Sequence, residues 1–451
     1  MTATAKTSHA PETRASSSAL PAKIGRYEIR AKLADGGMAS IYVGRLSGPA
    51  GFEKLQAIKV IKPEFSSDKD FTNMFLDEAR IAAKLSHPSI VQVHELGEDE
   101  SGGNKRLFIA MELLFGESLW DVWFTARAKK QKLPEDIVAW IGARTAEGLH
   151  HAHELVSGGV KQNVVHRDVN PSNVFITYDG QVKIIDFGLA KAKNRVTETG
   201  LGVIKGKVAY MAPEQTKSGR DLDHRADLFA LGVTLYELTT DTRLFKRNDN
   251  VSTLAAVAEC KVPDPTASIP GYSPALWDIL KKALAKDRSD RYASGKEMAE
   301  ALDAFSRSRG RVVTAATVSA FMEELFGPQR ERYQKWLDEV RSERPVPSAE
   351  ESFRGPPTVD ENAVIVGADV EAEQKPPSKS SAPTTPVEGD APLVEQDAAK
   401  RPDPFAPKPE PKPAPKPEDV EATRESARAW IWAVLILAAA GFTVWWATHK
   451  L

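Results

Sequence analysis

Asp168, Asn173 and Asp186 are oxygen-bearing side chains set close together in His166-Arg167-Asp168-Val169-Asn170-Pro171-Ser172-Asn173 and Asp186-Phe187-Gly188. Moving a phosphoryl group asks a protein for a carboxylate beside the attacking hydroxyl, and for hard oxygen ligands around a divalent cation. These three residues can supply both. The two strings occur in one order across a short gap, each flanked by apolar runs, so a chance surface loop is a poor account of the pair.

Such groups work only if rigid elements place them. Val164-Val165 precedes the first string, and Asn173-Val174-Phe175-Ile176 with Val182-Lys183-Ile184-Ile185 predicts two short strands around a Tyr178-Asp179-Gly180 turn. The hard ligands then fall at strand ends and on loops. Upstream, Phe71, Met74, Phe75, Glu78, Ala79, Ala82 and Leu85 recur at helical spacing, which puts Glu78 on or beside the apolar stripe of a helix. A carboxylate there needs a cation, and Lys59 in the apolar run Ala57-Ile58-Lys59-Val60-Ile61 is the economical partner. Leu107 to Leu114 reads as a buried strand running into a connector, and Gly36-Gly37 alone reads as a hairpin turn.

With these motifs in order, the chain from about Ile24 to about Phe305 resembles the eukaryotic-like, Hanks-type serine/threonine protein kinases of bacteria. The resemblance implies an α+β, two-lobed protein kinase fold. A small β-rich N-lobe with one main helix runs to about 112, and a larger helical C-lobe starts from about 116. It implies ATP and Mg2+ as cofactors, with Mn2+ as a substitute, and proteins as substrates. Leu33-Ala34-Asp35-Gly36-Gly37-Met38-Ala39-Ser40-Ile41-Tyr42-Val43 resembles the loop that covers the ATP phosphates, although Ala34 and Ala39 stand where the family has glycine.

By the same resemblance the ATP-binding set is Leu33, Gly36, Gly37, Met38, Ala39, Ile41, Ala57, Lys59, Glu78, Met111, Glu112 and Leu114. Lys59 contacts the first two phosphates, Met111 is the gatekeeper, and the Glu112 carbonyl and Leu114 amide bond adenine. Asp168 is the catalytic base, and Asn173 and Asp186 are the metal ligands. Glu214 of Ala212-Pro213-Glu214 pairs with Arg291, and Asp227 braces the catalytic loop.

Two positions depart from the family pattern. Asn170 stands where serine/threonine kinases carry a lysine that touches the γ-phosphate, and Lys207 stands where a threonine is expected after Gly206. A relocation of charge accounts for both changes, with Lys207 reaching back toward Asp168 and the γ-phosphate. A decayed pseudokinase scaffold is the competing account, and a small-molecule phosphotransferase the more distant one. Pro171 favours serine/threonine specificity. Thr197 and Thr199 are the serine or threonine hydroxyls between Gly188 and Ala212, and a phosphate on either could pair with Arg167 to order the loop. Self-association would serve autophosphorylation.

A formal net charge of -2 gives no electrostatic case for nucleic acid. Residues 1–23, rich in Ser, Thr and Ala and without an apolar core segment, read as a disordered leader. Residues 306–342 predict two appended helices broken at Gly327-Pro328, resting on the large lobe or holding a partner, docking being preferred. Residues 343–428 read as a Pro- and charge-rich linker, stiffened by polyproline II over Pro402 to Pro417.

Ala429 to Thr448 carries no charge and at about 1.5 Å per residue is long enough for a single membrane span. Trp430, Trp432, Trp445 and Trp446 stand at its ends. Arg424 and Arg428 put the preceding chain on the cytoplasmic side of the inner membrane, leaving Lys450 and Leu451 to emerge beyond it. His150 and His153 share a helical face, and with His151 they do not read as a metal site. Cys260, the single cysteine, excludes an intrachain disulfide.

Overall fold

Tyr27, Ile29 and Ala31 alternate with Glu28, Arg30 and Lys32, and the strand they form buries the first set. In the computed structural model this strand is β2 of a six-stranded antiparallel sheet. Its members are β1 (Lys23–Ile24), β2 (Tyr27–Asp35), β3 (Ala39–Ser47), β4 (Glu53–Ile61), β5 (Val93–Asp99) and β6 (Arg106–Glu112), in the order β1-β2-β3-β4-β6-β5. The structure describes residues 20–66, 68–100, 105–187, 207–217, 222–342 and 349. The leader to 19, Gly188, Thr197, Thr199, the linker apart from residue 349, and the apolar segment 429–448 lie outside the described residues. Among the described residues no helix is long and apolar enough to cross a membrane.

Helix α1 (Lys69–Ala82) starts where Asp68 accepts from the amides of Asp70 at 2.9 Å and Phe71 at 3.3 Å. Its Phe75, Ala79 and Ala82 then pack on Ile61, Val93, Leu107 and Ile109 of the sheet, as the helical spacing predicts. Below the connector come β7 (Gly116–Ser118), α2 (Leu119–Ala128), α3 (Glu135–His153) and the hairpin β8 (Val156–Ser157) and β9 (Val160–Lys161). The strands β10 (Val174–Thr177) and β11 (Val182–Ile184) follow, paired Val174 to Ile184 around the expected turn. Helix α4 (Arg225–Thr240) is buried along almost its whole length, so it forms the centre of the helical lobe rather than a face of it. Helices α5 (Asn250–Glu259), α6 (Pro274–Ala283) and α7 (Gly295–Ser308) complete that lobe.

The appended segment differs from expectation. It is one helix, α8 (Ala315–Arg341), with Pro328 inside it rather than two helices broken there. A proline removes the N–H that would meet the carbonyl four residues earlier, here Glu324. That carbonyl instead accepts from Lys129 Nζ at 3.1 Å, and the next one, Leu325, accepts from the same ammonium at 2.7 Å. The docking surface is also larger than expected. Val318, Phe321, Met322, Leu325 and Phe326 join the core of the large lobe, whereas Trp336, Leu337 and Val340 pack with Ala31 and Val43 of the small one.

Candidate active site

Lys59 sits near the end of β4, and the strand pairing sets it opposite Ile41 on one side and Ile109 on the other. Its ammonium lies 2.9 Å from Glu78 Oε1 and 2.7 Å from Asp186 Oδ1. Burial works against the charge on Lys59, but the Asp186 and Glu78 carboxylates outweigh it and hold the pKa above the ordinary lysine value. Helix α1 therefore delivers its buried carboxylate to the strand lysine, and Asp186 arrives from the end of β11 with a left-handed φ of 59°. Phe187, buried behind it, meets the His166 ring edge-on at 4.6 Å.

Asp168 is held by two amides. Asn173 Nδ2 donates to its carbonyl at 2.7 Å and to Oδ2 at 3.1 Å, while Asn170 Nδ2 donates to the carbonyl at 2.9 Å and to Oδ1 at 3.3 Å. The other end of Asn170 accepts from the Ser172 amide at 3.0 Å and caps the helical turn Pro171–Asn173. Asn170 is thus a buried scaffold residue that orients the carboxylate. Lys207 opens the helical turn Lys207–Tyr210, but its side chain lies outside the described residues.

The catalytic loop is braced from beneath. Asp227 of α4 accepts from the amides of His166 at 2.8 Å and Arg167 at 2.7 Å, and Arg167 itself has a φ of 65°. Burial opposes its charge, yet the bond from His153 Nε2 at 2.8 Å, with these neighbours, keeps its carboxyl below the usual range. His153 therefore does have an acid beside it, supplied by α4 from far along the chain, and the pair is a brace. His166 Nε2 lies 3.0 Å from the Ile185 carbonyl, tying the loop to the end of β11. Sequence reading had left His166 and His153 without these roles, because each partner is remote or on the backbone.

Glu214 and Arg291 meet as a buried two-point pair at 2.7 and 2.8 Å. Gly36, Gly37 and Met38 form the β2–β3 turn, with Gly36 N donating to Ala39 O at 3.0 Å. Neither glycine has a positive φ, and neither do Ala34 and Ala39, which pair with Ile41 and Ile61, Ala34 beside a register shift from Lys32. Asp35 ties this turn down through Ser40 Oγ at 3.0 Å and Lys62 at 3.0 Å, an anchor that sequence reading missed.

Leu33 and Ile41 lie on the two strands leading to and from this turn, and Ala57 is buried on β4. Met111 packs against the α1 cluster. Glu112 commits its side chain to Lys183 at 2.8 Å and to the Gln92 amide at 2.7 Å, and Leu114 follows on the connector.

The donor chemistry fits a nucleotide-borne cation. No group of three or more His, Cys, Asp or Glu among the described residues could hold a metal alone. Asp186 and Asn173 would offer two hard oxygen ligands, too few for a protein cage but suited to an ion whose other positions were filled by phosphate and water. Because Asn173 spends its amide nitrogen on Asp168, the amide oxygen is the end left for a cation.

A family model described as protein kinase domain matches residues 27–303, and the chain belongs to that family. It is 43% identical over 307 residues to Tyrosine-protein kinase MasK of Myxococcus xanthus, covering 68% of this chain and 47% of that protein. It is 35% identical over 286 residues to Serine/threonine-protein kinase PknA of Mycobacterium tuberculosis, covering 63% of this chain and 62% of that one. The chain thus spans about half the length of the first relative and under two thirds of the second. The solved kinase domain of Mycobacterium tuberculosis PknI is 29% identical, covering 62% of this chain and 97% of that one, with a TM-score of 0.47.

Proposed function

We propose that this chain is an ATP- and Mg2+-dependent serine/threonine protein kinase whose catalytic unit is tethered to the inner membrane on its cytoplasmic side. The observation that carries the catalytic part is the closed set Glu78–Lys59–Asp186 beside an Asp168 already oriented by two amides. Lys59, held in place by Glu78, aligns the first two phosphates. Asp168 accepts the proton of the attacking hydroxyl, and Asn173 with Asp186 holds the ion. Bound Mg2+ supplies charge neutralisation at the phosphate oxygens. Residues 429–448 support the tether by length, lack of charge and tryptophan-bordered ends. A chain ending at 428 is expected to leave the membrane fraction, and its retention there would refute the anchor.

The test of activity is transfer of labelled phosphate from ATP to the full chain and to a protein substrate, with Asp168→Asn as control. Labelling that falls by about a hundredfold or more in the variant supports the reading, on the scale of a lost general base. Wild type as silent as Asp168→Asn identifies a pseudokinase scaffold. Specificity for tyrosine is a second reading, favoured by the similarity to Tyrosine-protein kinase MasK and by Asn170 in place of the expected lysine. Acid hydrolysis of the labelled products separates the two: phosphoserine and phosphothreonine are expected, and phosphotyrosine alone overturns the serine/threonine assignment. Mapping should place phosphate on Thr197 or Thr199, where Arg167 is the proposed partner.

A further inference from the structure

Helix α8 is fixed at both ends to different lobes. At its start, Ser319 Oγ donates to the Tyr178 carbonyl at 2.7 Å. A Cβ on Gly180, which has a φ of +86°, would fall 1.9 Å from the Ala315 carbonyl, so the β10–β11 turn and the helix touch backbone to backbone. At its end, Arg30 of β2 donates through Nε to the Val340 carbonyl at 3.1 Å and through Nη2 to the Ser342 carbonyl. A guanidinium on the last carbonyls of a helix also opposes the negative end of its dipole.

Between these two anchors the helix crosses the connector that joins the lobes. Tyr333 stacks on Phe115 with ring centroids 5.0 Å apart and planes at 20°, and Trp336 stacks on Tyr333 in turn at 5.4 Å. Tyr178 meets the same Phe115 edge-on at 4.8 Å, and its amide donates to the Phe115 carbonyl at 2.9 Å. Trp336, Leu337 and Val340 form one cluster against which Leu33 and Leu113 pack. Leu33 leads into the phosphate-covering turn, and Leu113 lies between the two connector positions assigned to adenine.

We propose that Tyr333, Trp336 and Val340 are positioning residues of the nucleotide site, holding the connector Leu113–Phe115 and the strand that carries Leu33 in the register that receives the adenine end of a nucleoside di- or triphosphate. This rests on the nucleotide-binding reading of the cleft and extends it to a helix beyond the matched family region, which ends at 303. The adenine site is made of backbone groups, whose placement no side chain of the connector can guarantee by itself. A stacked aromatic pair clamps that backbone from outside, and each end of the helix ties the clamp to one lobe.

The experiment measures binding of a fluorescent N-methylanthraniloyl-ADP with Mg2+ to the full chain, beside KM for ATP and kcat. The double variant Tyr333→Ala, Trp336→Ala is expected to bind about five- to tenfold more weakly, because apparent affinity falls with the fraction of binding-competent molecules. KM for ATP is expected to rise in step while kcat at saturating ATP changes less than about twofold. Tyr333→Phe keeps the stack and is expected to restore wild-type binding.

Met322→Ala, on the half of the helix packed into the large lobe, controls for lost packing: it is expected to lower stability and leave nucleotide affinity unchanged. Equal affinity in wild type and the double variant overturns the inference, as does an equal loss in Met322→Ala. A wild type that binds nucleotide but transfers no phosphate defeats the kinase reading alone. A wild type that binds no nucleotide defeats both.

Discussion

Replacing Asn170 by alanine separates two accounts of the atypical catalytic loop. In the structure the buried Asn170 amide makes a cap bond to Ser172 N at 3.0 Å and donates to the Asp168 carbonyl at 2.9 Å and its carboxylate at 3.3 Å. A lost cap of this kind costs about 0.5–2 kcal/mol. The bond to the carbonyl contributes about 1 kcal/mol more, so Asn170→Ala should lose about 1.5 to 3 kcal/mol of stability in urea unfolding.

The carboxylate bond is long and Asn173 keeps its own hold on Asp168. The loss in kcat should therefore be modest, about fivefold for about 1 kcal/mol of orientation. Asn170→Lys tests the alternative directly. If the loop lacked only a positive charge, lysine would raise kcat above wild type while lowering stability. The amide geometry predicts a fall in both, because lysine can neither cap Ser172 nor reproduce the two-ended amide. An Asn170→Ala protein with wild-type unfolding midpoint and wild-type kcat would refute this account of the residue.

Two further outcomes follow from buried charge. Arg291 donates to both oxygens of Glu214 and to the carbonyls of Ala285, Arg225 and Lys286, so Arg291→Ala should cost about 3–5 kcal/mol; calorimetry showing under about 1 kcal/mol would sink the claim that the pair locks this lobe. Arg291→Lys should recover little, since an ammonium cannot match the fork.

Glu117 contributes a pH dependence of its own: burial pushes its carboxyl from 4.5 up to about 7, Asp121 adding to the rise while bonds from Tyr178 and Gln329 oppose it. Its folded pKa is the higher one, so its stabilising proton is fully in place below about pH 4.5 and is lost as pH rises through about 7. At about 1.36 kcal/mol per unit, this is on the order of 3 kcal/mol. Glu117→Gln should grow more stable relative to wild type from pH 5 to pH 8. Parallel pH profiles for the two proteins would exclude a raised Glu117.

What sequence reading captured follows from how local each signal is. Asp168, Asn173 and Asp186 lie in two short strings whose residue types leave few other uses, and the strands around them have their own turn chemistry. The Lys59–Glu78 pair was legible because a carboxylate on an apolar helical stripe requires a cation. His153 with Asp227 was not, since an acid beside a histidine from another helix leaves no trace in spacing. The glycine-loop departures looked costly from the family pattern, yet the turn asks for no positive φ at Gly36 or Gly37. Ala34 and Ala39 themselves have no positive φ, so alanine there carries no left-handed strain.

Helix α8 shows the limit most clearly. Gly327-Pro328 is a sound local reason to end a helix, because proline withholds a backbone donor and crowds the preceding turn. What overrides it is one ammonium, Lys129, which lies 195 residues before the carbonyl it satisfies at Glu324. The proline can then stay inside a continuous rod, and the rod is long enough to reach from the large-lobe core to Trp336 on the small lobe. Two separate helices could each have docked on one lobe and left the connector uncovered. The continuity that Lys129 permits is what brings Tyr333 onto Phe115, so a side chain remote from the cleft decides whether the connector is covered by the helix and the proposed clamp can form.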